Sequence, residues 1–356
     1  MNNFSEKIVN EYKSYGYSQF KMSKFEEYDL YVKNKDFLVS DNIITFTDLS
    51  GKLMALKPDV TLSIIKNSDD DELATNKVFY DESVYRVTKG AGGFKEIRQI
   101  GLECFGNVDN YCLLEVLSLA ASTLAAISDD YKLDVSNLSI ISEILDGCDI
   151  STKSRNQILA LMGQKNIHEL TAFMSSVGVS DSAASLILEL TSTYGDKETV
   201  IPKLEALLPG NPGVAQLREL LFALPDKNIQ IDFSVVNDVH YYNGIAFSGF
   251  VNGVADSVLS GGQYDNLMLR LKRKSRAVGF ALYVNMLEDL LYESSEYDVD
   301  VVLTYDADAS GDNLSALSSY ASALRAEGSS VLVTASVPAG IRTRKIIAFG
   351  EGEKTC

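Results

Sequence analysis

The chain has 356 residues, with 49 acidic against 32 basic side chains and a formal net charge of −17. That length predicts about two domains, and a hydrophobic content of 46% excludes disorder over most of it. The acidic balance excludes a general polyanion binder, because phosphates are neutralised by lysine and arginine.

Residues 1–15 lack the apolar run of a secretory signal, and no stretch reaches the roughly eighteen apolar residues of a membrane span. A cytoplasmic protein is therefore expected. Cys104, Cys112, Cys148 and Cys356 form no CxxC pair and lie far along the chain from His168 and His240. Neither a metal site nor a disulfide framework is expected; free thiols in a reducing compartment are.

Taken in chain order, residues 4–14 predict an amphipathic helix with Phe4, Ile8, Val9 and Tyr12 on one face. Strands and turns are expected from 16 to 65, including a hairpin of Ile43–Thr47 and Leu53–Leu56 around a turn at Asp48–Gly51. Residues 77–106 predict two strands flanking the glycine-rich KGAGGF, and 114–128 a helix. Leu138–Ile144 reads as a strand or the start of a helix. Residues 150–224 then change character, giving helical segments with short polar breaks. Strands return at 229–236, 241–248 and 254–260, with a helix near 263–271 and a strand then a helix over 276–292. The remainder, from 297, predicts strand, helix, strand, strand.

Four segments carry chemistry. In Leu56-Lys57-Pro58-Asp59-Val60-Thr61, Asp59 and Thr61 project an acid and a hydroxyl just after a strand. Along YRVTKGAGGFKEIRQIGLECFG, Gln99, Gly101 and Glu103 alternate, so their side chains face one way. With Arg86 they suggest a floor for a zwitterionic small molecule. The glycine loop lacks the lysine–serine ending of a P-loop. His240-Tyr241-Tyr242-Asn243-Gly244 and Ser260-Gly261-Gly262-Gln263-Tyr264-Asp265 complete the set, with Tyr241, Tyr242 and Tyr264 as candidate pocket walls.

In this order the segments resemble the class II histidyl-tRNA synthetases and, more closely, their non-catalytic paralogues, the regulatory subunits of ATP phosphoribosyltransferase. GYSQFKMSKFE resembles the family's first motif, with Ser23 at a common proline. FTDLSGKLMALKPDVT resembles FTD-x-x-G…LRP-x-x-T, with Lys57 for arginine. YRVTKGAGGFKEIRQIGLECFG resembles the second motif, HYYNGIAF with SGGQYDNL the histidine-specific pair, and AVGFALYVNMLEDL the third motif. The resemblance implies an α+β fold: a class II synthetase-like antiparallel sheet core at 1–149 and 225–295, with a helical insertion at 150–224. A small C-terminal α/β unit at 296–356 is similar to part of an anticodon-binding domain. Arg325, Arg342, Arg344, Lys345 and Lys354 are its basic residues, fewer than its acidic ones, so no tRNA partner is expected.

The departures from the family decide the expected function. Arginines that grip ATP in the synthetases fall at Asn237, Met286, Gly93, Lys95 and Gln263. Adenylate formation rests on such groups, and losing one typically costs a factor of about a hundred or more. No catalytic residue and no cofactor are therefore expected. The positions that the resemblance gives to free histidine hold Asp59, Thr61, Arg86, Gln99, Glu103, Tyr241, Tyr242 and Tyr264. The resemblance further implies a regulatory subunit that activates a short-form catalytic subunit in the first step of histidine biosynthesis and carries histidine feedback. It would be a homodimer within a larger hetero-oligomer. A divergent histidyl-tRNA synthetase and a ligand-free scaffold paralogue are the rival readings.

Overall fold

A computed structural model describes residues 3–33, 43–69, 71, 73–87, 93–236, 242–287, 290, 297–306, 312–350 and 352–355. The chain divides into two compact units, Met1–Glu288 and Asp289–Cys356.

In the first unit the elements are α1 (Asn3–Ser14), β1 (Ser18–Gln19), β2 (Phe25–Glu27), α2 (Tyr28–Val32), β3 (Thr45–Thr47), β4 (Leu53–Leu56), α3 (Thr61–Lys66), β5 (Thr75–Val87), β6 (Phe94–Gly106), α4 (Asn110–Ala125) and β7 (Tyr131–Asn137). Next come α5 (Leu138–Asp146), α6 (Thr152–Gly163), α7 (Ile167–Ser176), α8 (Asp181–Thr191), β8 (Tyr194–Gly195), α9 (Lys197–Leu207) and α10 (Pro212–Ala223). The unit closes with β9 (Ile229–Asp232), β10 (Ile245–Val251), β11 (Leu259–Gln263), α11 (Asp265–Arg270) and β12 (Arg276–Tyr283).

Among the described residues, nine strands form one sheet in the order β1-β5-β6-β12-β11-β10-β7-β9-β8. Its pairs are antiparallel except β1/β5 and β7/β9. A separate three-stranded sheet runs β2-β4-β3. The β5/β6 hairpin is the longest element, with Thr75 opposite Gly106 at one end and Val87 opposite Phe94 at the other.

Alternation along the strands sorts side chains onto two faces. One face carries Phe79, Leu102, Phe280 and Phe247, and α1 packs on it: the Tyr12 ring lies 6.3 Å from Phe79 and 6.0 Å from Phe280. Helix α4 covers the same face, where Leu124 fills the space over Gly249. The burial of Ile8 and Tyr12 explains why so polar a segment is helical.

Five helices occupy 152–223, and each opens on a polar side chain that accepts from a first-turn N–H: Ser151, Asn166, Ser180, Asp196 and Asn211. The same rule settles Leu138–Ile144 as helix, since Asn137 caps it through the Ser139 N–H.

The structure corrects several expectations. Between 16 and 65 two short helices, α2 and α3, interrupt the strands; the Asp59 carboxylate accepts from the Leu62 N–H at 2.8 Å and closes the first turn of α3. The strand expected at 229–236 ends at Asp232, whose side chain turns the chain by accepting from Ser234 N–H. That expected at 241–248 spans 245–251, and that at 254–260 begins at Leu259. After β12, residues 284–287 form a 3₁₀ turn and Leu290 is helical; the rest of the helix expected up to 292 lies outside the described residues. Tyr241, His240, Asn237 and the loop at 88–92 lie outside the described residues.

The second unit holds β13 (Val299–Thr304), α12 (Asp312–Ala326), β14 (Val331–Thr334), β15 (Thr343–Ala348) and β16 (Gly352–Thr355), in sheet order β14-β13-β15-β16. Val301, Leu303 and Ile347 pack under Leu317, Ala321 and Leu324 of α12.

Candidate functional site

The sheet face away from α1 and α4 is almost bare of large side chains at its centre. By register, Gly101 of β6, Ala281 of β12, Ser260 of β11 and Ser248 of β10 make one row, and Gly279, Gly262 and Ala246 continue the row from Glu103. These small residues form the floor of a trough. A cavity of about 30 Å³, lined in part by Tyr242, Ala246, Ser248 and Ser260, lies on it.

Glu103 is the charged centre of the floor and only 2% exposed. One carboxylate oxygen accepts from the Thr61 hydroxyl at 2.5 Å and the other from the Tyr264 hydroxyl at 2.6 Å. Thr61 opens α3 and Tyr264 precedes α11, so two helix starts converge on one strand residue. Burial pushes the Glu103 carboxyl up to about 8; the two hydroxyl donors oppose the shift, and the nearby Asp59 carboxylate adds to it. Tyr80, on the same face, is held well above the usual phenol range by burial, with Glu103, Asp59, Tyr283 and Tyr242 adding to the shift. Ser260 and Tyr283 share a hydrogen bond of 2.9 Å across the floor. The arrangement offers a buried carboxyl, ringed by tyrosines, to a small polar ligand with a hydrogen-bonding ring or an amine.

Of the eight expected residues, Asp59, Thr61, Glu103 and Tyr264 come together, with Tyr242 against the same floor. Arg86 reaches the backbone next to Asp59 rather than Glu103 itself. Its register position on β5 is eight residues from that of Glu103, roughly 26 Å along the strand, and its Nε donates to the Pro58 carbonyl at 3.1 Å. Gln99 is buried on the correct face but four residues from Glu103, opposite Glu82 and Tyr283. Tyr241 lies outside the described residues. Sequence reasoning missed Gly279, Tyr80 and Tyr283. A signal existed in AVGFALY, where small residues alternate with large ones along β12.

The raised Glu103 pKa gives a pH test. The folded state holds the Glu103 proton more tightly than the unfolded chain does. Its contribution to stability is full below the ordinary value of 4.5 and is lost as pH rises through about 8. Urea unfolding followed from pH 5 to 8 should lose stability at up to about 1.4 kcal/mol per pH unit from this one proton. Glu103→Gln should flatten that part of the slope; an unchanged slope would remove Glu103 as its source.

A long antiparallel sheet, a motif-bearing hairpin and a trough with a buried acid define a class II synthetase-like core. The histidyl-tRNA synthetase family model matches residues 1–287, and the chain belongs to that family. Curated relatives are similar over most of its length. The ATP phosphoribosyltransferase regulatory subunit of Oceanobacillus iheyensis is 27% identical over 300 residues, 81% of this chain and 73% of that protein. The protein of the same name from Caldanaerobacter subterraneus is 26% identical over 304 residues, 83% of this chain and 79% of the relative. Among solved structures, an ATP phosphoribosyltransferase regulatory subunit/histidyl-tRNA synthetase from Bacillus halodurans superposes with a TM-score of 0.77 at 20% identity, covering 97% of this chain and 93% of the other. A chain of the ATP phosphoribosyl transferase complex from Thermotoga maritima superposes with a TM-score of 0.61 at 16% identity, covering 80% and 97%. The class II fold expected from the motifs is thus the fold of this protein. Among the described residues, no helix is long and apolar enough to cross a membrane.

Proposed function

We propose that this chain is a non-catalytic regulatory subunit of ATP phosphoribosyltransferase. It assembles with a short-form catalytic subunit, is required for that subunit's activity in the first step of histidine biosynthesis, and carries feedback by free histidine. Two copies pair within a larger cytoplasmic hetero-oligomer, without tRNA. The names of the curated relatives support the partner.

The observation that carries the non-catalytic reading is the fate of Gln263, at the position the resemblance gives to an ATP-gripping arginine. It is buried, and its side-chain oxygen accepts from the Ile245 N–H at 2.9 Å. A side chain spent on bracing β10 against β11 holds no phosphate. Met286, at another such position, brings no charge. The acid–hydroxyl group around Glu103 is the part of the site suited to histidine, with Asp59, Thr61, Tyr242 and Tyr264 beside it; Arg86, Gln99 and Tyr241 are the other candidates for histidine contacts.

Reconstitution tests this. Saturating amounts of the chain should raise the rate at which a short-form catalytic subunit condenses ATP with phosphoribosyl pyrophosphate several-fold, and histidine should then inhibit. No change in rate or in histidine sensitivity would sink the assignment. Histidine-dependent ATP–pyrophosphate exchange by the chain alone would instead support a synthetase. Histidine should also stabilise the chain, by about 2.7 kcal/mol at a hundredfold excess over Kd. A ligand-free scaffold would gain nothing.

A further inference from the structure

The row of side chains on the trough face does not stop at Ser248. The next strand, β7, places Asp134 opposite Ser248, and β9 places Gln230 beside Asp134. Both side chains extend the row that begins at Gly101. Asp134 stands four strands from Glu103, roughly 19 Å across the sheet, and the histidine reading does not use it. Among the described residues, the buried side-chain oxygens that lack a hydrogen-bond partner are Asp134 Oδ1 and Gln230 Oε1. Two acceptors are thus set on neighbouring strands with nothing to accept from. Leaving a buried acceptor in this state is costly. A single hydrogen carried by one oxygen and accepted by the other satisfies both.

The charges around the pair favour that arrangement. Asp232 lies two residues on from Gln230, on the same face, and is 4% exposed. Its Oδ2 accepts from the Lys165 ammonium at 2.7 Å and its Oδ1 from the Ser234 N–H at 2.7 Å. Lys165 sits in the turn between α6 and α7 with φ 52°, a left-handed backbone that suits glycine better. Its ammonium also lies 5.1 Å from the centre of the Tyr194 ring, and Tyr194 is the register partner of Asp232 on β8. The cation from the insertion is therefore already committed to one acid. Lys132, two residues before Asp134 on β7, is the other cation on this side, and the β10 neighbour, Ser248, is uncharged. Burial pushes the Asp134 carboxyl up to about 6; Asp232 adds to the shift, and Lys165 and Lys132 oppose it. A neutral carboxylic acid donates where a carboxylate only accepts.

We propose that Asp134 keeps a proton and donates it to the Gln230 side-chain oxygen, and that losing this proton loosens the seam by which the helical insertion is fastened to the sheet. The seam is narrow. Strand β9 pairs with β7 only over Ile229–Ile231 against Leu133–Val135, and beyond β9 the sheet has only the edge strand β8. The Lys165–Asp232 ion pair then ties the α6–α7 turn to the end of β9. Ionised Asp134 leaves Gln230 without a donor and sets a second negative charge near Asp232, in the middle of that short pairing. The folded chain holds the Asp134 proton more tightly than the unfolded chain does. Its contribution is full below the ordinary 3.8 and is lost as pH rises through about 6.

The test is an NMR titration of the full chain, labelled at aspartate carboxyls and glutamine side-chain amides and assigned through the backbone. The Asp134 carboxyl and the Gln230 amide should shift together, with one midpoint near 6. Asp134→Asn supplies a donor that never titrates. Hydrogen exchange in β9 and the α6–α7 turn, corrected for its intrinsic pH dependence, should quicken in the parent chain as pH rises through that midpoint and stay level in Asp134→Asn. The ratio between the two should grow by up to about tenfold per pH unit. The titration is read on the parent chain, so it decides the matter even where the variant does not fold. An Asp134 midpoint at the ordinary 3.8, a Gln230 signal that ignores it, or equal exchange in the two chains would each overturn the proposal.

Discussion

Gly279→Ala is expected to cost about 2–3 kcal/mol of stability and to remove any stabilisation by histidine. A Cβ at this position would stand 1.8 Å from a Glu103 carboxylate oxygen and 2.4 Å from the Leu102 carbonyl oxygen. The first neighbour is the end of a side chain, but Thr61 and Tyr264 hold it. The second is backbone of the adjacent strand and cannot retreat without parting β6 from β12. The floor of the trough is therefore made of glycine because the acid needs the space. Gly147→Ala is the control. Its Cβ would meet no atom nearer than 3.4 Å, and its backbone is right-handed, so the change should be neutral or slightly stabilising. Urea midpoints measure both. Equal midpoints for Gly279→Ala and the parent chain would show that the strands yield.

Glu82→Ala should cost about 3–5 kcal/mol, because it strands a buried ammonium. The Lys57 side chain is fully buried, and its Nζ reaches Glu82 at 3.0 Å. Burial pulls the lysine pKa down and Glu82 opposes that shift. The pair also locates the site. Lys57 accepts from the Tyr85 N–H at 2.9 Å and donates its own N–H to Lys24 at 3.0 Å, directly before Pro58, Asp59 and Thr61. Unfolding of Glu82→Ala in urea should show the loss, while Lys57→Met with Glu82→Leu should restore most of it. If the single substitution were silent, Lys57 would have to find water that the fold denies it.

How far the sequence could speak depends on the range of each signal. Alternation correctly placed Gln99 and Glu103 on one face of β6. It carries no information on distance along the strand, and Arg86 stands eight register positions from Glu103, with its side chain on the Pro58 carbonyl. Asp59, Thr61, Glu103 and Tyr264 were candidates through the family resemblance, since an acid or hydroxyl in a single segment says little by itself; the structure brings them together around Glu103. The floor was not legible, because Gly279, Ser260 and Gly101 become neighbours only through the register of three strands. Helix α3 was missed because TLSIIK is short and rich in β-branched residues. Its signal was Asp59, three residues ahead of the N–H it accepts from. The hairpin of β3 and β4, and the second unit with its Val- and Ile-rich strands, needed no partner information.

The pairing of β7 with β10 places Asn137 opposite Ile245, with residues 138–244 between them. Neighbours at the heart of the sheet thus meet only after a long detour of chain has condensed. Such non-local closure slows folding far more than it weakens the folded state. This protein should acquire its helices early and its central ladder late, exposing unsatisfied strand edges in the interval.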